Sequence, residues 1–270
     1  MTFLFWNLCK NPLQKIIARL AHQLKIDILI FAESDGIEPA TILKLLNPPG
    51  TSEYYRAPVI GCEKLEFYTR FASEYLQPVF ETNRLSIRHL SLPGTTDILI
   101  AATHFPDKRS MSNESQSLEI INLAQNIRQE EAKMGHQRTL LVGDLNMNPF
   151  EIGMIGAQGL HAVMDRTVAQ KSKRIVQDVA YSYFYNPMWS LLGDASVGPP
   201  GTYYYYKSEP VLYFWNMFDQ VLIRSELLER FKNESLMILD SDGDVNFRKA
   251  NGIPDPQISD HLPLLFKLDL

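Results

Sequence analysis

Asn7, Glu33, His104, the run Gly143-Asp144-Leu145-Asn146, Asp219 and the run Ser259-Asp260-His261 each stand at the end of a short apolar segment, and together they span the whole chain. Short apolar runs bounded by turn-forming residues read as strands of a buried sheet. Polar groups at the ends of such strands gather along a rim, so residues from the first strand to the last can form one site of carboxylates, amides and imidazoles.

The size of the chain allows this. With 270 residues, 45% hydrophobic and 21% charged, it can bury a large core without disulfides or a structural metal, and we read 1–270 as a single domain. Cys9 and Cys62 have neither zinc spacing nor a CxxC partner and read as small hydrophobes. No apolar run approaches the ~20 residues of a membrane helix, and Phe3 to Leu8 lacks the basic flank of a signal peptide. The expectation is a cytoplasmic protein with no stable membrane association. A formal charge of -5 gives no global attraction to a polyanion, so such a ligand must be held locally or through a bound cation.

Phe3 to Trp6 forms an opening strand that exits on Asn7. Asn11-Pro12 reads as an N-cap and first-turn pair for a helix, because Leu13, Ile16, Ile17, Leu20 and Leu24 recur at helical spacing. Ile26 to Ala32 is a strand buried on both faces, delivering Glu33. A helix over Pro39 to Leu46 is followed by strands at Leu65 to Phe71, Arg84 to Leu90 and Asp97 to Thr103, spaced for antiparallel pairing, the last ending in His104. Ser112 to Met134 is an amphipathic helix with Gly135 as its C-cap, and the strand Arg138 to Val142 delivers Asp144 and Asn146. Asn148-Pro149 resembles another helix start. Ala162 to Gly201 is weakly patterned and reads as a long surface insertion with a short helix near Pro187 to Leu192. Strands return at Tyr203 to Tyr206 and Tyr213 to Ile223, then a short helix at Ser225 to Phe231 and a closing strand at Leu262 to Leu268. This order implies an α+β fold of two packed sheets with helices outside.

Hard divalent cations select oxygen ligands, and Glu33, Asp144 and Asp260 are carboxylates at strand ends. A histidine beside such a site acts as acid, base or donor to a phosphoryl oxygen and needs a carboxylate to set its tautomer, which makes His104 and His261 the candidates. Taken singly, Asn7 reads as a turn residue, Glu33 as a solvated acid and His104 as a core histidine. Gly-Asp-x-Asn presents Asp144 and Asn146 to one side under period-2 alternation. Asp219, inside the apolar run Phe218 to Ile223, needs a buried partner, and a histidine is the economical one.

As an ordered set, Trp6-Asn7, Ala32-Glu33, Thr103-His104-Phe105, Gly143-Asp144-Leu145-Asn146, Phe218-Asp219-Gln220-Val221-Leu222-Ile223 and Ser259-Asp260-His261 resemble the endonuclease/exonuclease/phosphatase superfamily. The resemblance covers nearly the full chain. It implies a four-layer αββα sandwich of two mixed β-sheets flanked by helices, with the site at one edge. It also implies roles: Glu33, aided by Asn7 and Asp260, would hold Mg2+ or Mn2+; Asp144 would orient or deprotonate the attacking water; Asn146 would bond the scissile phosphate. His261, oriented by Asp219, would donate to a phosphate oxygen, with His104 doing similar work from the other side. Deoxyribonuclease-like members pair that second histidine with a glutamate, for which Glu63 or Glu66 is the match. Cys9 stands where some members carry an acid.

The substrate must be chosen by loops. Arg166 to Arg174 forms a basic patch, Lys108 and Arg109 follow His104, and Tyr203 to Tyr206 with Tyr213, Phe214 and Trp215 offers rings for stacking. These features favour a nucleic-acid or nucleotide phosphodiester, and so a metal-dependent nuclease acting on DNA or RNA. The alternatives are a phosphatase or phosphodiesterase acting on a small ester or phospholipid head group, and a catalytically inactive binding module. The runs that mark metallo-β-lactamase-type and serine hydrolases are absent.

Overall fold

The computed structural model describes all 270 residues. In chain order they form β1 (Thr2–Asn7), α1 (Gln14–Leu24), β2 (Ile28–Ala32), α2 (Pro39–Leu46), β3 (Tyr55–Arg56), β4 (Leu65–Thr69), β5 (Leu76–Thr82), β6 (Leu85–Leu90), β7 (Ile98–His104) and α3 (Asn113–Met134). There follow β8 (Thr139–Asp144), α4 (Ile152–Ile155), β9 (Ala162–Val163), α5 (Arg166–Ala169), β10 (Lys173–Val176), β11 (Val179–Ser182), β12 (Phe184–Tyr185), β13 (Tyr203–Tyr204), β14 (Trp215–Asn216), β15 (Asp219–Arg224), β16 (Met237–Ile238) and β17 (Leu264–Lys267).

Two mixed sheets, ordered β16-β17-β1-β2-β4-β3 and β5-β6-β7-β8-β15-β12-β9, pack face to face, with β1 against β8 and β15 and β4 against β7. Helices cover the outer faces, giving an α+β αββα sandwich. Each sheet has a parallel pair at its centre, β1 with β2 and β7 with β8, and each pair is flanked by antiparallel strands. Parallel neighbours need a long crossover, which α1 and α3 supply. The four central strands therefore send Asn7, Glu33, His104 and Asp144 to strand exits. Asp219, at the antiparallel start of β15, is in register with Asp144.

Period-2 alternation divides the core. Ile98, Ile100 and Ala102 of β7, Leu140 and Val142 of β8, and Val221 and Ile223 of β15 face the first sheet. Leu99, Ala101, Leu141 and Leu222 face Ile120, Leu123, Ala124 and Ile127 of α3. His104, Asp144 and Asp219 continue the inward series. Gly143 is required here, because a Cβ would come within 2.0 Å of the Thr103 carbonyl oxygen on the neighbouring strand.

Several expectations change. Asn11 does not cap α1, which starts at Gln14 with no side-chain cap; its amide instead donates to the carbonyls of Ile258 and Pro256 at 3.0 and 3.2 Å. Asn148 starts no helix either, since it cross-links to Asn216 and Met217 and α4 begins at Ile152. The stretch 162–201 is not wholly a surface insertion: β9 and β12 complete the second sheet, and Phe184, Tyr185 and Met188 are buried. A strand of two residues is too short to show a period. β5 was also unreadable because it carries Pro78, which an edge strand tolerates beside its register shift. No helix is long and apolar enough to cross a membrane.

Candidate active site

β15 begins where Thr202 Oγ1 accepts the backbone amides of Phe218 and Asp219 at 3.1 and 3.0 Å. Asp219 is wholly buried and its Oδ2 meets His261 Nδ1 at 2.8 Å. The segment carrying His261 is stitched to the end of β1: Ser259 Oγ donates to the Asn7 carbonyl at 2.7 Å, and Trp6 Nε1 donates to the His261 carbonyl at 2.9 Å. Leu262 N donates to the Thr202 carbonyl at 2.8 Å, closing the frame. Position and tautomer of His261 are thus set together, leaving Nε2 to face the site.

Asp144 occupies the centre. Its Oδ2 lies 3.8 Å from Nε2 of His261 and 3.8 Å from Nε2 of His104, and accepts Asn7 Nδ2 at 3.0 Å. Its Oδ1 accepts the Asn146 backbone amide at 3.0 Å. The two imidazole distances exceed hydrogen-bond length, so neither Nε2 is bonded to Asp144 and both remain able to serve a ligand at the mouth of the site. His104 Nε2 is 3.5 Å from Glu33 Oε1.

Burial pushes the Asp144 carboxyl up and Asp219 adds to it, against the opposing pull of His261, His104 and Asn7, so it is a stronger base than an ordinary aspartate. Burial alone would push His261 down, but the Asp219 and Asp144 carboxylates outweigh it and hold the imidazole up at about 10. Two buried atoms of the site lack partners, Asp219 Oδ1 and His104 Nδ1. These two leave the site with polar capacity that its own side chains do not fill. Left-handed backbone at Cys9, Lys10, Glu33 and Asn146 points the same way.

The structure brings His104, Asp144, Asp219 and His261 together with Asn7 and Glu33. Asn146 is adjacent by a different route from alternation: β8 ends at Asp144, Asn146 turns left-handed at φ 49°, and its Nδ2 donates to the Phe105 carbonyl at 2.9 Å. Asp260 is half-buried beside Cys9 and Tyr203. Burial and Asp260 push the Cys9 thiol up to about 11, so it supplies no thiolate. Neither Glu63 nor Glu66 partners His104; Glu66 pairs with Arg56 at 2.8 Å and Tyr68 at 2.7 Å, Glu63 is exposed, and Glu33 takes that place.

The basic patch lies elsewhere. Arg166 binds the carbonyls of Leu228 and Phe231, and the β10–β11 hairpin enters β12, where Phe184 is in register with Arg224. That is the far end of β15 from Asp219, about 17 Å away at ~3.3 Å per residue. Lys108 is neutralised by Glu151 and Arg109 by Asp107.

Sequence reasoning missed Thr202, and it named Trp6 and Tyr203 without placing them beside His261. The Tyr203 ring lies 4.7 Å from the His261 ring and stacks on Phe218 at 5.3 Å, and burial pushes its phenol up to about 12. Only the long-range pairing of 203 with 261 gives these residues their place.

Asp144, Asp219 and His261 hold donor atoms within 4.8 Å of one another, a grouping able to take a metal ion. His261 Nδ1 is already engaged by Asp219, however, which suits proton handling better. Glu33, Asp260 and Asn7 Oδ1 are oxygen donors, the hard kind that Mg2+ or Mn2+ selects. The residues present fit such an ion.

No family model matches the sequence, and no curated protein matches it. Solved structures do. The AP endonuclease of Archaeoglobus fulgidus aligns with a TM-score of 0.57 at 13% identity, covering 100% of both chains. An endonuclease/exonuclease/phosphatase family protein from Leptotrichia buccalis C-1013-b gives 0.56 at 14%, again over 100% of both. TDP2 of D. rerio, complexed with a single-strand DNA product, gives 0.55 at 12% over 100% of this chain and 99% of that one. The chain therefore has the fold of the endonuclease/exonuclease/phosphatase superfamily.

Proposed function

We propose that this protein is a divalent-metal-dependent phosphodiesterase, a nuclease acting on DNA or RNA. The observation that carries the reading is Asp144 Oδ2, bracketed at 3.8 Å by the Nε2 atoms of two histidines, one of them backed by a buried aspartate. Two imidazole donors suit a phosphoryl group whose charge grows as water attacks, and the carboxylate beside them suits the water.

Asp144 orients the water and accepts its proton as the new P–O bond forms. His261, held protonated by Asp219, donates Nε2–H to a non-bridging oxygen. His104 donates from the opposite side, and the second hydrogen of Asn146 Nδ2 is available to the scissile phosphate. Glu33 and Asp260, with Asn7, would hold the metal, which when bound neutralises phosphoryl charge as a Lewis acid. The leaving oxygen departs as the P–O bond breaks and takes a proton from solvent or from His104. The single-strand DNA product held by the TDP2 structure supports a nucleic-acid substrate.

The test is hydrolysis of single-stranded DNA, double-stranded DNA, RNA, bis(p-nitrophenyl) phosphate, p-nitrophenyl phosphate and phosphatidylcholine with Mg2+, with Mn2+ and with EDTA. Cleavage of a polymer that stops with EDTA and in Asp144→Asn is the expected result. If only a phosphomonoester or a phospholipid is hydrolysed, the nuclease reading is wrong; if nothing is hydrolysed and no metal binds, the fold serves as a binding module.

A further inference from the structure

On the side of Tyr203 the rim continues into an aromatic hairpin. β13 and β14 pair through Tyr203↔Asn216 and Tyr204↔Trp215, and Tyr205 N donates to the Phe214 carbonyl at 2.9 Å. At the tip, Tyr206 is 73% and Phe214 44% exposed. Their rings are stacked, with centroids 6.1 Å apart and planes inclined by 27°. Phe214 also lies 6.4 Å from the Tyr204 ring, so the more exposed Tyr206 ends the row of rings towards solvent.

The hairpin is held in place. Phe214 has φ +62°, a conformation that a bulky residue keeps only where its surroundings over-determine it. Its carbonyl accepts Asn216 Nδ2 at 3.2 Å, Asn216 Oδ1 accepts Asn148 Nδ2 at 2.9 Å, and Asn148 Oδ1 accepts Met217 N at 2.9 Å. Asn148 and Asn216 are buried, and Asn148 lies two residues beyond Asn146. The rings are thereby referenced to the loop that carries Asp144. At the other end of the hairpin, Tyr203 is 4.7 Å from His261. Tyr206 is three residues further along the same hairpin.

We propose that Tyr206 and Phe214 form a stacking platform for a nucleobase of a single-stranded nucleic acid whose phosphodiester lies between His104, Asp144 and His261. The inference deepens the phosphodiesterase reading and rests on it. Stacking on aromatic rings is the sequence-tolerant way to hold a single strand, and a base still paired in a duplex has no free face to offer. A lipid surface is the other occupant of exposed rings, but Lys207 is paired with Glu209 at 3.4 Å, so the turn lacks the free cations that bring a protein to anionic lipid.

The experiment measures binding of a fluorescein-labelled single-stranded oligodeoxynucleotide of about ten residues to the Asp144→Asn protein, alone and with Tyr206→Ala or Phe214→Ala added. A second oligonucleotide of the same length carries abasic tetrahydrofuran sites in place of its bases. Each ring deletion is expected to weaken the normal oligonucleotide about 5- to 100-fold and to leave the abasic one unchanged, a range set by the strength of base–aromatic stacking. In the otherwise wild-type enzyme, Tyr206→Ala and Phe214→Ala should leave hydrolysis of bis(p-nitrophenyl) phosphate unaltered. The platform is overturned if both deletions leave oligonucleotide binding intact, if they weaken the abasic strand equally, or if they abolish binding to phosphatidylcholine–phosphatidylserine vesicles while sparing the oligonucleotide. Ring-dependent binding in a protein that hydrolyses no phosphodiester upholds the platform and removes the catalytic reading, so the two fail separately.

Discussion

At one end of β15, Arg224 donates to both carboxylate oxygens of Glu131 at 2.8 and 3.2 Å, to the carbonyls of Ser182 and Tyr183 at 3.0 and 3.2 Å, and stands 3.8 Å above the Phe184 ring. At the other end, Asp219 spends one oxygen on His261 and leaves Oδ1 without a partner, while Asp144 faces two imidazoles across gaps of 3.8 Å. Both ends bury charge in one sheet. The first satisfies its guanidinium from four directions and so is a structural joint; the second is held from behind and left open in front, which is the condition for binding something else.

The difference can be broken most sharply by removing one group from each end. Asp144→Asn is expected to lower phosphodiester hydrolysis about 10³- to 10⁴-fold, the scale of a lost acid or base, with little change in the urea midpoint. Steady-state rates and equilibrium unfolding on the same preparations check both halves. Glu131→Ala should do the reverse: it strands a buried guanidinium and costs about 3–5 kcal/mol of stability, while kcat of the remaining folded protein stays near wild type. Converting both Glu131 and Arg224 to hydrophobic residues of similar volume should recover most of that loss, and a double mutant no more stable than Glu131→Ala would show that the joint is more than a buried ion pair.

A smaller effect separates the ends by pH. His261 is held at about 10 in the folded chain, above the ~6.5 of an unfolded histidine. The stability it contributes is therefore fully present below pH ~6.5 and is lost as pH rises through about 10. In EDTA, urea midpoints should fall across this window in the wild type and fall less in His261→Asn. Asn11→Ala should have the smallest effect. It removes two hydrogen bonds that tie Pro256 and Ile258 to the end of β1, worth about 1 kcal/mol each, and should raise KM more than it lowers kcat because the segment leading to Asp260 loosens.

Much of this is legible in the sequence. Buried strands announce themselves by continuous apolar runs, and the residue that ends such a run is conspicuous when it is a histidine or an acid, as with His104, Asp144 and Asp219. Asn11 and Asn148 were misread for a physical reason: capping a helix and cross-linking a loop need the same short amide, and a lone Asn-Pro pair does not say which it does. The basic run 166–174 was legible as charge but not as position. Its Arg166 is spent on carbonyls at the far end of β15, which no local pattern reveals.

The sequence by itself determined the donor inventory and the strand ends on which it sits, because a two-residue period and a buried acid are local facts about side-chain chemistry. Only the tertiary structure decided which donors meet. Antiparallel register set Asp219 opposite Asp144, the closing segment carried His261 back to β1 and Thr202, and the 203–216 hairpin set Tyr203 against His261. Those contacts join residues far apart in the chain, and pairing over such separations is fixed by the packing of two whole sheets rather than by any window of sequence.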